Sequence, residues 1–348
     1  MCKYNFIERI GKEMKKKIFA AVIAASMVLG LVACGGKNTA TSSSKETTAT
    51  SEKSASENGD KTYKIGVLQL VQHTALDQAN KGFVAALDES GIKYQIDQQN
   101  AGGDQSACQT IATKFVNDKD DLLLGIATPA VQALAGATED IPIVLTAVTD
   151  PADAKLVASN EKPGGNITGT SDLTPVKEQI ALIKKILPSA KRVGILYSSA
   201  ESNSKLQAKL AMDAAKEQGL EATEYTVSNS NEIQSVVESM VGKVDVIYTP
   251  TDNMIAAGMA TIAMVATEHK IPIIGAEKGH VDAGALATYG IDYYQLGHMA
   301  GEQAVEILKD GKNPKDMPIE YLPLEKCELN VNQDVAKELG IDVSSIQK

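Results

Sequence analysis

Trp is absent from this 348-residue chain and Phe occurs only four times. Aromatic platforms for stacking bases or sugar rings are therefore scarce; beyond residue 60 only Phe83 and Phe115 remain, both on expected helices. Basic residues are outnumbered as well, 34 against 44 acidic, a net charge of −10. That sign and the missing aromatics exclude a nucleic-acid binder, which needs basic stripes and stacking faces. Four Cys are too few for a disulfide scaffold at this length. Four scattered His (73, 269, 280 and 298) make no dense ligand cluster, so neither a metal nor a cofactor is expected. No phosphate loop, H-E-x-x-H or G-x-S-x-G motif occurs, and the chain is read as a binder without catalytic residues. What it does have is 43% apolar residues, enough for ordered cores and about two domains.

The N-terminal stretch reads as an address. Lys15, Lys16 and Lys17 precede an uncharged run from Ile18 to Val32, followed by Ala33-Cys34-Gly35-Gly36. Basic residues, a short apolar run and small residues at the cut describe a secretory signal, residues 1–33, and the run is short for a membrane span. Leu31-Val32-Ala33-Cys34 resembles the bacterial lipobox, which implies a lipid on the Cys34 thiol; Met14 is a cleaner start than Met1. Without its leader of net +4 the chain carries −14, which favours solubility beside an anionic membrane and leaves attachment to the lipid. Residues 34–60 follow as a tether: Gly35 to Asp60 holds 11 Ser or Thr in 26 residues and no large apolar side chain. Of the later cysteines, Cys108 reads as a half-buried helix filler, and the sequence gives no support for pairing it with Cys327.

From Tyr63 onward short β-branched runs alternate with amphipathic stretches. Lys64 to Val71 reads as a strand, Leu76 to Glu89 as a helix closed by Gly91, and Asp121–Ala127 and Ile141–Val148 as further strands. This alternation predicts an α/β fold with parallel sheets covered on both sides. The pattern then repeats. Ile65-Gly-Val-Leu68 returns as Val193-Gly-Ile-Leu196, and Gly91 and Gly219 keep that offset. Asp121-Leu-Leu-Leu124 matches Asp245-Val-Ile-Tyr248, and Ile141-Pro-Ile-Val144 matches Ile271-Pro-Ile-Ile274. The chain is thus expected to form two equivalent Rossmann-like lobes.

In such sheets ligands meet the loops at the carboxyl ends of the strands, so the candidate residues can be named. Thr128 is expected to cap a helix with Pro129 in its first turn, an uncommitted helix N-terminus suited to a carboxylate. Asp252 could pair with a ligand ammonium or cap the helix beginning near Asn253. Glu277 and Asp172 are acidic loop candidates. Asn203 and Ser199 (or Ser202) could hydrogen-bond a ligand, and His73, beside Gln72, could line its side-chain pocket.

Several stretches, read together, resemble the solute-binding lipoproteins of ATP-binding-cassette importers, in the branch that takes tryptophan and tyrosine. They are Gly66-Val-Leu-Gln69, Gly103-Asp-Gln-Ser106, Ile126-Ala-Thr-Pro-Ala130, Thr146-Ala-Val-Thr-Asp-Pro151, Lys162 to Gly169, Pro250-Thr-Asp-Asn253 and Ala285 to Gly290. The resemblance implies a type I periplasmic-binding fold with a hinge crossed three times. Lobe 1 would comprise residues 61–169 plus 290–320, and lobe 2 residues 170–289 plus 321–348. It also implies an aromatic amino acid held by Thr128, Ser171, Asp172, Asn203, Asp252, Asn253 and Glu277. The protein would be a monomer on the outer face of the membrane, delivering its ligand to a permease. An aliphatic amino acid or other small carboxylate, a surface sensor with the same fold, and an exported enzyme are the alternative readings.

Overall fold

The computed structural model of the protein describes residues 61–346; the expected leader, the lipidated Cys34 and the tether up to residue 60 lie outside the described residues. The chain begins with β1 (Thr62–Gln69), α1 (Thr74–Ser90), β2 (Lys93–Asn100), α2 (Gln105–Asp118), β3 (Leu122–Ile126), α3 (Thr128–Ala137), β4 (Ile143–Val148) and β5 (Ile167–Ser171). A second series follows with α4 (Val176–Ile186), β6 (Arg192–Ser198), α5 (Ser202–Glu217), β7 (Glu221–Val227), α6 (Ile233–Met240) and β8 (Val246–Thr249). It continues through α7 (Asn253–Ala257), α8 (Met259–Glu268), β9 (Ile273–Gly275), α9 (Lys278–Asp282) and β10 (Ala287–Gly290). The chain then returns to the first sheet with α10 (Tyr293–Asp310) and β11 (Glu320–Tyr321), and re-enters the second with β12 (Glu328–Val331) and α11 (Gln333–Leu339).

The strand orders are β11-β5-β4-β3-β1-β2 and β12-β10-β9-β8-β6-β7, so β6 to β10 repeat the order of β1 to β5 and each sheet gains one late edge strand. The equivalence reaches single residues. Asp121 accepts the Lys64 amide at the start of β1, and Asp245 accepts the Lys191 and Arg192 amides at the start of β6. All pairings are parallel except β10 with β12, which is antiparallel and departs from the expected all-parallel sheets. β12 enters at the sheet edge from β11 of the other sheet, so no crossover helix between neighbouring strands fixes its direction.

β3 and β4 are buried at every residue, as strands covered on both faces must be. β2 and β7 lie at sheet edges and show mostly part-buried and exposed residues. One apolar cluster wraps the first sheet, and two serve the faces of the second. Cys108 is fully buried in the first cluster, deeper than expected, because the α2 face carrying it also carries Ala112 and Phe115. Neither Cys108 nor Cys327 is in a disulfide.

Two local features aim side chains at the space between the lobes. The first is the packing of α1 on α10: a Cβ placed on Gly297 would sit 1.9 Å from the Ala79 carbonyl oxygen, and one on Gly82 1.9 Å from that of Tyr294. Only glycine permits these backbones to touch, and the N-terminal ends of both helices point into the cleft with His73 and Tyr293. The second is a bulge. Register between β4 and β5 shifts between Leu145 and Val148, and Ala147 takes a left-handed φ of 55°. Opposite it, Gly169 has φ +144° and lies so close to β4 that a Cβ would come within 2.0 Å of the Leu145 carbonyl oxygen. Such irregularities re-aim side chains beside functional sites; here Ala147 and Thr149 are turned into the cleft.

Candidate functional site

A small cavity lies between the lobes, lined by His73, Leu76, Ala147, Thr149, Asp172, Asn203, Thr251, Asp252, Asn253, Glu277 and Tyr293. These residues follow or end β1, β4, β5, β6, β8, β9 and β10, so the carboxyl ends of both sheets supply its walls. The lobes also touch directly. Gln207 on α5 donates to Thr149 Oγ1 (3.0 Å), Thr149 Oγ1 and Thr251 Oγ1 lie 3.5 Å apart, and His73 Nε2 is 3.2 Å from Asn253 Oδ1.

The polar atoms facing the cavity are mostly acceptors without partners. Asp172 accepts from the Tyr293 hydroxyl through Oδ2 (2.9 Å), while its Oδ1 has no partner. Glu277 lies beside the same hydroxyl, and its buried Oε1 is also unpartnered. Asn203 directs its Nδ2 to Glu201, Ser204 and the Thr251 carbonyl oxygen, leaving Oδ1 unpartnered. Burial raises both carboxyl groups above the usual carboxylate range: Asp172 to about 6, and Glu277, with Asp172 also nearby, to about 8. His73 and His280 are kept neutral by the same desolvation, which pushes His280 down to about 3. Among the described residues no lysine or arginine pairs with these oxygens; the histidines beside Glu277 Oε1 (His280 Nε2 at 3.3 Å, His73 Nδ1 at 3.9 Å) stay uncharged.

The start of α1 also borders the cavity, at His73 and Leu76. His73 occupies its N-cap position without a side-chain hydrogen bond to the helix amides. By contrast, Asp104, Asp252, Asp292 and Asn332 cap their own helices. An uncapped N-terminus keeps N–H groups and positive dipole charge available to an anion. The cavity wall therefore combines unpartnered acceptors with an uncapped helix N-terminus, groups that suit an ammonium and a carboxylate respectively.

Of the residues singled out in the sequence, His73, Asp172, Asn203, Asp252, Asn253 and Glu277 come together here, whereas Gln72, Thr128, Pro129, Ser171 and Ser199 do not line the cavity. Gln72 is exposed on the β1–α1 loop. Thr128 is the first residue of α3 and not its cap; Ala127, with φ 82°, holds that position, and Pro129 follows inside the helix. Ser171 donates to the Thr149 carbonyl oxygen (2.7 Å) and ties the bulge in place. Ser199 turns to the Val227 carbonyl oxygen. Asp252 resolves in favour of capping, since its oxygens accept from the Ser198 amide (2.6 Å) and the Ile255 amide (2.9 Å).

Sequence reasoning passed over Tyr293, Thr149, Thr251, Leu76 and Ala147 among the lining residues, and Glu201 just behind them. Ala147, Thr149 and Thr251 lie within stretches that carry the family resemblance. Tyr293 carried a usable signal: it follows Asp292, a helix cap, directly after the second crossing between the lobes.

The arrangement defines a two-lobed binder with its site at the lobe interface. The chain belongs to the ABC transporter substrate-binding protein family, whose sequence profile matches residues 64–346. A Clostridioides difficile relative named "Tyrosine-binding protein" is 44% identical over 334 residues, 95% of this chain and 93% of its own length. Among solved structures, a Streptococcus pneumonia ABC domain in complex with L-Trp is 41% identical, with TM-score 0.79 over 81% of this chain and 96% of that one. A ligand-free, open substrate-binding protein with adhesive properties from Clostridium difficile is 45% identical, yet its TM-score is 0.63 over 82% and 97%. The chain thus superposes better on the Trp-bound structure than on the ligand-free, open one, although the latter is slightly more similar in sequence. The fold is the type I periplasmic-binding fold; a glucose-galactose binding protein from Geobacillus stearothermophilus shares it at 17% identity, TM-score 0.58.

Proposed function

We propose that the protein binds an aromatic amino acid between its lobes and hands it, unaltered, to the permease of an ABC importer. The observation that carries this reading is the convergence of three unpartnered buried oxygens, on Asp172, Glu277 and Asn203, on one cavity. An ammonium has three N–H donors and a positive charge, and it meets those oxygens where water is excluded. The ligand carboxylate would take the first-turn amides of α1, and its side chain would lie against His73, Leu76, Ala147 and Tyr293. Aromatic character is supported by the names of the relatives, one called tyrosine-binding and one solved with L-Trp.

Binding across the cleft favours the closed arrangement only because the ligand touches both lobes, and a permease would distinguish the closed form from the open one. In this reading the chain is exported, cleaved before Cys34 and lipidated there. It would work as a monomer held at the outer membrane face, where the tether raises its concentration near the permease. No chemical change in the ligand is proposed.

The test is a calorimetric and thermal-shift screen of the amino acids. Tryptophan, tyrosine or phenylalanine should raise Tm; at a hundred times Kd a ligand adds about 2.7 kcal/mol of apparent stability. Binding confined to aliphatic amino acids or sugars, or no binding at all, would overturn the proposal.

A further inference from the structure

Behind the cavity wall lies a carboxylate that does not line the cavity. Glu201, the residue preceding α5, is buried, and every hydrogen bond of its side chain is one it accepts. Oε1 takes the Asn253 amide (3.2 Å) and the Met254 amide (3.2 Å) from the first turn of α7. Oε2 takes the side-chain Nδ2 of Asn203 (3.2 Å) and of Asn253 (2.5 Å). Asp252 is the other carboxylate near it, and that like charge together with burial pushes the Glu201 carboxyl up, against the pull of the N–H groups.

A carboxylate set among N–H groups decides which way an amide must face, because only the nitrogen end of an Asn can donate. Asn203 and Asn253 therefore turn their nitrogens inward. Asn203 Oδ1 is left facing the cavity, and Asn253 Oδ1 meets His73 Nε2 at 3.2 Å. That oxygen accepts only, so the hydrogen of the neutral His73 ring must sit on Nε2. The other ring nitrogen, Nδ1, is then a lone pair; it is buried, has no partner, and lies 3.9 Å from Glu277 Oε1. The chain from Glu201 through Asn253 to His73 thus gives the cavity acceptors at both Asn203 and His73.

Resting on the amino-acid reading above, we infer that Glu201 is a positioning residue: without touching the ligand, it fixes the orientation of two amides and the tautomer of His73, and so makes the cavity select an amine. Replacing it with Gln puts an N–H₂ where an acceptor stood. Asn203 is held by the Thr251 carbonyl oxygen as well and resists turning, whereas Asn253 has no second acceptor for its nitrogen among the described contacts and flips. Its nitrogen then faces His73 Nε2, the ring hydrogen moves to Nδ1, and a donor confronts the ligand ammonium.

Two measurements test this. The first is the nitrogen NMR signature of His73 in the wild-type chain and in Glu201→Gln. The Nε2–H tautomer is expected in the wild type, with a shift to Nδ1–H in the variant. A wild-type Nδ1–H ring overturns the inference even if the variant fails to fold, and so does a folded variant with an unchanged ring. The second is calorimetric affinity for phenylalanine and for phenylpropionate, which lacks the amine. Glu201→Gln should weaken phenylalanine about 10- to 100-fold, the range for losing a hydrogen bond to a charged group, and leave phenylpropionate unchanged. Equal losses for both would reduce Glu201 to a structural part and overturn the inference. If the wild type binds no amino acid while the tautomer switches as expected, the ligand reading fails and the positioning chain stands.

Discussion

Asp172 and Asp252 are buried carboxylates on the same cavity, and their hydrogen bonds give them different work. Asp252 is occupied by two backbone amides, whereas Asp172 keeps one oxygen without a partner. Asp172→Asn should leave the fold intact and weaken amino-acid binding about 10- to 100-fold, the usual cost of a lost hydrogen bond to a charged group, measured by calorimetry. Asp252→Ala should instead cost about 0.5–2 kcal/mol of stability, as removal of a helix cap does, visible as a lower midpoint in urea. That both residues are acidic and loop-borne is legible in the sequence. Which of them is spent on its own backbone is not, because the partner of Asp252 at Ser198 lies 54 residues away.

Among the elements, α1 and α10 decide how well the site is aimed. Their backbones touch at Gly82 and Gly297, and each begins with a residue of the cavity wall or its immediate neighbour, His73 and Tyr293. Gly297→Ala forces a methyl group against the Ala79 carbonyl oxygen, 1.9 Å away before relaxation. The helices must separate, at a cost of about 1–3 kcal/mol for overpacking, and Tm should fall by several degrees. Amino-acid affinity should fall with it, since Tyr293 donates to Asp172 and stands beside Glu277; unchanged affinity would show that the helix pair does not set the site. The apolar spacing of α1 was readable locally. Its partner lies some two hundred residues downstream, and no local pattern names it.

For the molecule as a whole, two carboxyl groups facing an inner cavity make binding and stability depend on pH. Folded, Asp172 is raised to about 6 and Glu277 to about 8, against roughly 4 for both in an unfolded chain. Between about pH 4 and pH 8 the unliganded folded state thus holds protons the unfolded chain has released, and stability declines as pH rises. The neighbours that face this pair, His73 and His280, are neutral; Tyr293 is a donor and Asp252 another acid. An ammonium draws both pKa values down and releases protons, so amino-acid affinity should rise from pH 5.5 to pH 8. Calorimetry in buffers of different ionisation enthalpy should detect the protons. A flat affinity profile over that range would contradict an ammonium between these carboxylates.

Alternation of short apolar runs with helices, and the echo of one half in the other, determined by themselves that this chain makes two α/β lobes. Those are local properties, set by side-chain periodicity and by glycines at helix ends. Loops at the strand ends could also be named in advance, because parallel sheets place them at one edge. Only the tertiary structure decided which polar atoms in those loops stay without a partner. A buried oxygen binds a ligand when every nearby donor is already committed elsewhere, and those commitments join sequence-distant segments: the Tyr293 hydroxyl to Asp172, the Ser198 amide to Asp252, the Asn253 side-chain nitrogen to Glu201. Hydrogen-bond satisfaction is a sum over the whole fold, and one stretch of sequence contains only part of it.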